Sequence, residues 1–364
     1  MRAMNRREAL AALAGSCSAL LLGGGCSATG AKSAQTRPPS GHSSLGIVIY
    51  TLQVSQKNGW GGRHRELSPA LAFLEESHVL GAGGIQCPLG PQDSSRAAEV
   101  RRQAEKYGMF VEGILNFPSR SEEADRFEEQ VKVARAAGAS LARTAILPGR
   151  RYEQFKSFAE FRQAEKRAVQ VLQAIEPVLA RHQLRLAVEN HKDQRVPEKL
   201  ALLKTLSSQW VGLCADFINN LALLEDPLET LRALAPWAIT AHIKDAAVRE
   251  YQDGFLLADV ALGEGFLDLP AMVRLLRRAN PSIRFGLEII TRDALKVPVK
   301  TEAYWSTFQG VPRSAVNPIL QLVRAKSSPA PLAEISTLPL AEQMALEHRT
   351  VERSLRYARE KLRL

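Results

Sequence analysis

From Leu45 onward, short runs of apolar and β-branched residues alternate with longer segments whose apolar positions recur at helical spacing. That alternation is the pattern of a parallel sheet built from βα units. Gly46–Tyr50, Gly84–Cys87, Met109–Leu115 and Ala142–Leu147 read as the first four strands. Leu184–Glu189, Val211–Asp216, Ala238–Ile243 and Ile283–Glu288 read as the next four. Helices are predicted at Pro69–Val79, Ser94–Tyr107, Glu122–Ala137 and Phe158–His182, with Gly108 and Gly138 stopping two of them. Eight consecutive units favour closure into a (β/α)8 barrel, since an open sheet of this kind normally stops at about five or six strands. Residues 296–335 exceed what a plain last unit needs. Their prolines, from Pro298 to Pro331, and the aromatics Tyr304, Trp305 and Phe308 predict an extension over the barrel. A long final helix from about Leu340 to Leu362 follows, so that 45–364 forms one barrel unit with its extension.

Residues 1–26 stand outside that pattern. Asn5-Arg6-Arg7-Glu8-Ala9-Leu10 carries a twin arginine and leads into an Ala/Leu/Gly stretch ending at Gly25. The segment resembles a twin-arginine export signal, which implies a protein exported to the periplasm or cell envelope. Cys26 follows Leu22-Gly23-Gly24-Gly25 and resembles a lipoprotein cleavage site, with leucine one place too far upstream. Residues 27–44, rich in Ser, Ala, Pro and Gly, read as a flexible linker. Beyond the leader no run approaches the roughly 18 apolar residues that span a membrane. A lipid anchor at Cys26 and a homo-oligomer are both compatible with the sequence.

The chain of 364 residues is 45% hydrophobic and 24% charged, as in ordinary globular proteins. Its net charge of +10 does not point to nucleic acid. The basic residues are scattered or lie along the last helix (Arg349, Arg353, Arg356), without an aromatic platform or a reading helix. Cys87 and Cys214 each sit in an apolar strand-like run and are expected as buried thiols rather than as a disulfide or zinc clip.

The chemistry is expected where strands end, because barrel sites lie at the C-terminal mouth. Glu189, Asp216, His242 and Glu288 close the fifth to eighth predicted strands. Any one of them alone would read as a helix cap, a salt bridge or a core histidine. Together they place three carboxylates and an imidazole in one quadrant, where like charges repel unless a cation intervenes. Three oxygen donors and one nitrogen donor suit Mn²⁺, Mg²⁺ or Co²⁺. Zn²⁺ fits less well with a single histidine and no thiolate.

These residues and their surroundings resemble the xylose-isomerase-like barrel superfamily, in its sugar phosphate isomerase/epimerase branch. The resemblance covers about Gly46 to Thr291. It rests on Gly81-Ala82-Gly83-Gly84-Ile85-Gln86, Val188-Glu189-Asn190-His191, Asp216, His242-Ile243-Lys244-Asp245, Leu262-Gly263-Glu264-Gly265 and Leu287-Glu288. It implies that Glu189, Asp216, His242 and Glu288 hold the metal, and that Glu189 and Glu288 also act as the acid/base pair. The implied activity is a metal-dependent sugar isomerase or epimerase working through a metal-stabilised enediolate on a small carbohydrate. Two positions depart from the pattern. Asn219 stands where many ketose epimerases carry histidine. Val248 stands where they often carry arginine, with Arg249 next door. No glycine-rich phosphate cradle is evident.

Candidate substrate-binding residues are His191, Asn219, Lys244, Arg249, Glu264 and Trp60. The last would stack on a sugar face or simply pack in the core. A metal-dependent lyase or dehydratase on keto-sugars or 3-keto-glycosides is the main alternative. An exported sugar-binding protein without catalysis is a third reading, and a multi-zinc endonuclease is disfavoured by only seven histidines.

Overall fold

The computed structural model describes residues 42–90, 94–147 and 149–364. The expected export signal, Cys26 and nearly all of the linker lie outside the described residues. Eight parallel strands close into a barrel: β1 (Gly46–Val48), β2 (Gly84–Pro88), β3 (Phe110–Ile114), β4 (Leu141–Thr144), β5 (Arg185–Glu189), β6 (Val211–Asp216), β7 (Ala238–Ile243) and β10 (Arg284–Leu287). Around the ring β10 lies between β7 and β1, so β5, β6, β7 and β10 are consecutive neighbours. The register sets Asp216 beside His242 and Glu189 beside Cys214.

Principal helices surround the barrel: α1 (Pro69–Val79), α2 (Ala97–Tyr107), α3 (Ala124–Ala136), α4 (Phe158–His182), α5 (Val196–Leu206), α6 (Pro227–Leu234) and α7 (Leu269–Ala279). The caps follow side-chain chemistry. Ser68, Ser157, Asp226 and Asp268 accept backbone N–H bonds at the starts of α1, α4, α6 and α7. Gly108 closes α2 at φ 66°, a conformation costly for residues with a Cβ. One apolar core packs the strands against the inner faces of the helices, while Leu141, Ala187, Cys214 and Ile239, on β4 to β7, form a small cluster of their own. Ser43, within the stretch whose composition reads as a linker, is buried and its N–H donates to the Gly81 carbonyl at 2.9 Å.

Two features go beyond the sequence expectation. The first strand ends early, because Ile49–Leu52 winds into a 3₁₀ turn over the barrel mouth. Thr51 is buried there and its hydroxyl donates to the Leu287 carbonyl at 2.8 Å, stitching β1 to β10. The segment after His242 is not a plain loop. It forms a hairpin of β8 (Asp245–Tyr251) and β9 (Gly254–Val260), extended antiparallel by β11 (Leu295–Val297). This sheet shares a second apolar core with the extension, including Val248, Phe255, Val297, Tyr304, Phe308 and Val323. The extension also contributes α8 (Val316–Ala325), before the final helix α9 (Leu340–Tyr357), which runs on as a π turn, Ala358–Leu362. No helix among the described residues is long and apolar enough to cross a membrane.

Candidate metal centre

Glu189, Asp216, His242 and Glu288 converge at the ends of four adjacent strands. One ligand-capable atom from each lies within 4.8 Å of the other three, and all four residues are buried. His242 Nδ1 is 3.4 Å from Glu288 Oε2 and 3.7 Å from Glu189 Oε1.

The orientation of His242 is set from across the barrel. Gln86, on β2, donates through Nε2 to Glu112 Oε2 at 3.0 Å, and the Thr240 hydroxyl donates to the same oxygen at 3.0 Å. That contact turns the Gln86 amide oxygen toward His242 Nε2, 2.7 Å away. An amide oxygen only accepts, so Nε2 carries a proton. Nδ1 then faces two carboxylates with no hydrogen-bond partner among the described residues. Asp216 Oδ2 likewise lacks a hydrogen bond, although the Lys244 ammonium lies 3.2 Å from it as an ion pair. A cation between these atoms would satisfy them. The donor set therefore fits a divalent metal, as oxygen donors with one imidazole suit Mn²⁺, Mg²⁺ or Co²⁺.

Neighbouring residues pin the ligands. Asn190 accepts from the Asp216 N–H at 2.7 Å and donates to its carbonyl at 3.0 Å, clamping β5 to β6. Asp216 Oδ1 takes the N–H groups of Ile218 and Asn219 at 2.9 and 2.8 Å. Asn219 donates to Glu189 Oε1 at 3.0 Å, and Lys199 donates to the Glu189 carbonyl at 2.9 Å.

Two cations pair with the three carboxylates, and a third lies close by. Arg143 donates from Nε and Nη2 to Glu189 Oε2, and Lys244 pairs with both Glu288 and Asp216. Lys192, also buried, donates to Asn219 Oδ1. Burial pushes the Glu189 carboxyl up, but Arg143 and then His242 outweigh it and hold the group well below the usual range. Glu288 is likewise held low by Lys244 and His242 against burial. Asp216 is pushed up by burial, which Lys244 only partly offsets. Burial also raises Glu112, whose Oε1 has no partner among the described residues.

Above the quartet opens a cavity of about 710 Å³. Glu288 and Lys244 form part of its floor, and Tyr50, Asn116, His191, Arg143, Lys192 and Arg292 are among its walls. His191 sits at the rim, partly exposed, with Nδ1 3.1 Å from the Gly149 carbonyl. Of the residues singled out in the sequence, His191 and Lys244 reach this cavity and Asn219 touches Glu189.

The other three are placed elsewhere. Trp60 is buried in the first loop against Phe73, so its ring is committed to core packing. Arg249 lies on β8, whose neighbour Val248 enters the second core. Glu264 points outward and pairs with Arg353 of the final helix. The turn carrying Glu264 is organised by Asp245, which accepts N–H bonds from Ala246, Gly263, Gly265 and Leu267 at 2.9–3.3 Å. A Cβ at Gly265 would come 2.0 Å from Asp245 Oδ1, which is why glycine occupies that position. Gln86, Glu112, Arg143, Lys192 and Arg292 did not stand out in the sequence. Their side chains enter the site from strands and loops bearing no shared motif, and only Gln86 lay within a run that carried the resemblance.

The chain matches the family described as "Xylose isomerase-like TIM barrel" over residues 74–307, well over half its length. It is 26% identical over 212 residues to 3-oxo-isoapionate decarboxylase of Pectobacterium atrosepticum, covering 57% of this chain and 72% of the relative. Among solved structures, D-psicose 3-epimerase, in the presence of D-fructose, superposes with a TM-score of 0.53 at 13% identity. That match covers 87% of this chain and 98% of the other. A xylose isomerase-like barrel protein of Mycobacterium smegmatis, in complex with magnesium, gives 0.50 at 16% identity over 78% and 98%. With its closed eightfold barrel and the family match across most of it, this chain belongs to the xylose isomerase-like TIM barrel family.

Proposed function

We propose that this chain is a metal-dependent enzyme that moves protons at the carbon next to a carbonyl in a sugar or sugar-like ketone. The observation that carries the reading is the convergence of four buried ligand atoms within 4.8 Å, with His242 Nδ1 turned toward two carboxylates. Asp216 and His242 serve as ligands, and Glu189 and Glu288 as ligands that also exchange protons. A divalent metal bound there would supply positive charge for a substrate carbonyl and adjacent hydroxyl oxygen. Glu288 lines the cavity, which supports it as the base that meets the substrate carbon. Glu189, held by Arg143 and Asn219, is then the group that returns a proton. Lys244 beside Glu288 keeps that carboxylate ionised and ready to accept. Return to the opposite face of the same carbon gives epimerisation, and return to the neighbouring carbon gives isomerisation. The twin arginine at Arg6 and Arg7 supports export as the setting for this activity.

A second reading is loss of a group: elimination after proton removal, as a lyase or dehydratase, or direct loss of CO₂ from a 3-oxo acid, as a decarboxylase, with a carboxyl group then protonating the carbon left behind. The similarity to a decarboxylase of a 3-oxo sugar acid favours it. Proton NMR in D₂O separates the two over a panel of keto sugars and keto acids. Deuterium at the carbon beside the carbonyl, with no shorter or dehydrated product, supports the epimerase. Release of CO₂, water or a glycone supports the second reading. In either case Glu288→Gln should slow turnover by at least about 10²-fold, the scale of a lost general base. Exchange undiminished in that variant would remove Glu288 from the mechanism.

A further inference from the structure

The cavity walls carry Arg143, Arg150, Lys192, Lys244 and Arg292, against Glu153 and Glu288. Most of these cations already have carboxylate partners. Arg143 is spent on Glu189, Lys244 on Asp216 and Glu288, and Arg150 on Glu153. Lys192 is different. It is 5% exposed, yet among the described residues its hydrogen-bond partner is the neutral Asn219 oxygen, and no carboxylate comes within ion-pair distance. Among the described residues Arg292 on the same wall is paired with Asp259 alone, 3.8 Å away, and it remains one-third exposed.

A buried ammonium without a counter-ion is costly, and Lys244 and Arg292 add like-charge repulsion after the burial itself. The backbone fixes Lys192 there, since the Arg151 N–H donates to its carbonyl at 2.8 Å. Asn219 links the ammonium to Glu189, so whatever it binds sits one side chain from the proposed proton-transfer group.

We infer that Lys192 and Arg292 form an anion subsite, and that the substrate is a keto sugar acid whose carboxylate docks there beside the reacting carbonyl. This rests on the proposed function only in taking the cavity as the substrate site. A carboxylate is favoured over a phosphate because the subsite pairs one buried ammonium with one guanidinium, and no glycine-rich backbone cradle is evident in the sequence.

The test is calorimetric titration of the full chain, supplied with Mn²⁺, using three six-carbon probes. They are 2-keto-D-gluconate, neutral D-fructose and D-fructose 1-phosphate. The keto acid should bind at least ten-fold more tightly than fructose and more tightly than the phosphate. Lys192→Gln and the rim variant Arg292→Gln should each cut the acid-over-fructose preference at least five-fold. Circular dichroism verifies folding of both, and Arg292→Gln carries the test if the buried substitution does not fold. Equal or absent binding of the acid, preference for the phosphate, or an unchanged preference in the folded variants would overturn the subsite. Because the readout is binding, failure here is distinct from failure of the proton-transfer reading, which the D₂O experiment reports separately.

Discussion

A histidine among carboxylates can be neutral, protonated or metal-bound, and Gln86 narrows the choice for His242. With Nε2–H given to the Gln86 oxygen, Nδ1 is the ring atom that points at Glu189 and Glu288 and that a metal would take. Gln86→Leu removes that acceptor and frees the ring. Metal affinity should fall about 10–100-fold, the usual cost of losing a partner behind a ligand. Titration of the chelated protein with Mn²⁺ measures it, and an unchanged affinity would show that Gln86 does not orient the ligand. Behind Gln86, Glu112 makes its own prediction. Burial raises its carboxyl, with Arg284 opposing, so folding favours the neutral acid. A raised folded value means a stability contribution fully present below the unfolded carboxyl value of about 4.3, and lost as pH rises through the folded value. Glu112→Gln cannot titrate, so it should gain on the wild type as pH climbs from acid to neutral. Urea midpoints across that range test this, and a constant gap would contradict it.

At the scale of elements, the strands that carry ligands were legible because an apolar run ended in one polar residue at the mouth. β6 and β7 have the bounds that the pattern predicts, and α1 and α4 likewise. The β8–β9 hairpin was not legible. Charged residues at Arg249, Glu250, Asp253 and Asp259 interrupt its apolar positions, and its buried face is completed by residues far along the chain, such as Val323, 75 positions beyond Val248. The site's cations were hidden for a similar reason. Arg143 sits mid-site only because β4 neighbours β5, a fact of register rather than of spacing. Docking of the extension depends on Arg151, a buried guanidinium that donates to Glu198 and to the Thr307 carbonyl. It also lies 3.6 Å from the Phe161 ring centroid and 4.5 Å from that of Phe308. Arg151→Met should cost about 3 kcal/mol or more in urea unfolding and make residues 296–335 more susceptible to limited proteolysis. Unchanged stability and proteolysis would show that the apolar contacts hold the extension unaided.

For the whole molecule, the barrel's contribution is convergence: four neighbouring strands deliver four ligands that sequence places up to 99 positions apart. Repulsion among the carboxylates alone does not demand a metal, because Arg143 and Lys244 between them already pair with all three. What these pairs leave without a hydrogen bond is His242 Nδ1 and Asp216 Oδ2. The most direct measurement is therefore the Mn²⁺ stoichiometry of the purified, chelator-stripped chain, beside that of His242→Gln. One equivalent per chain is predicted for the wild type. It should raise the thermal midpoint and be worth about 2.7 kcal/mol at a hundredfold excess over Kd. At least tenfold weaker binding is predicted for the variant. A folded wild type that binds no divalent ion, or a His242→Gln protein that binds as tightly, would contradict the metal centre.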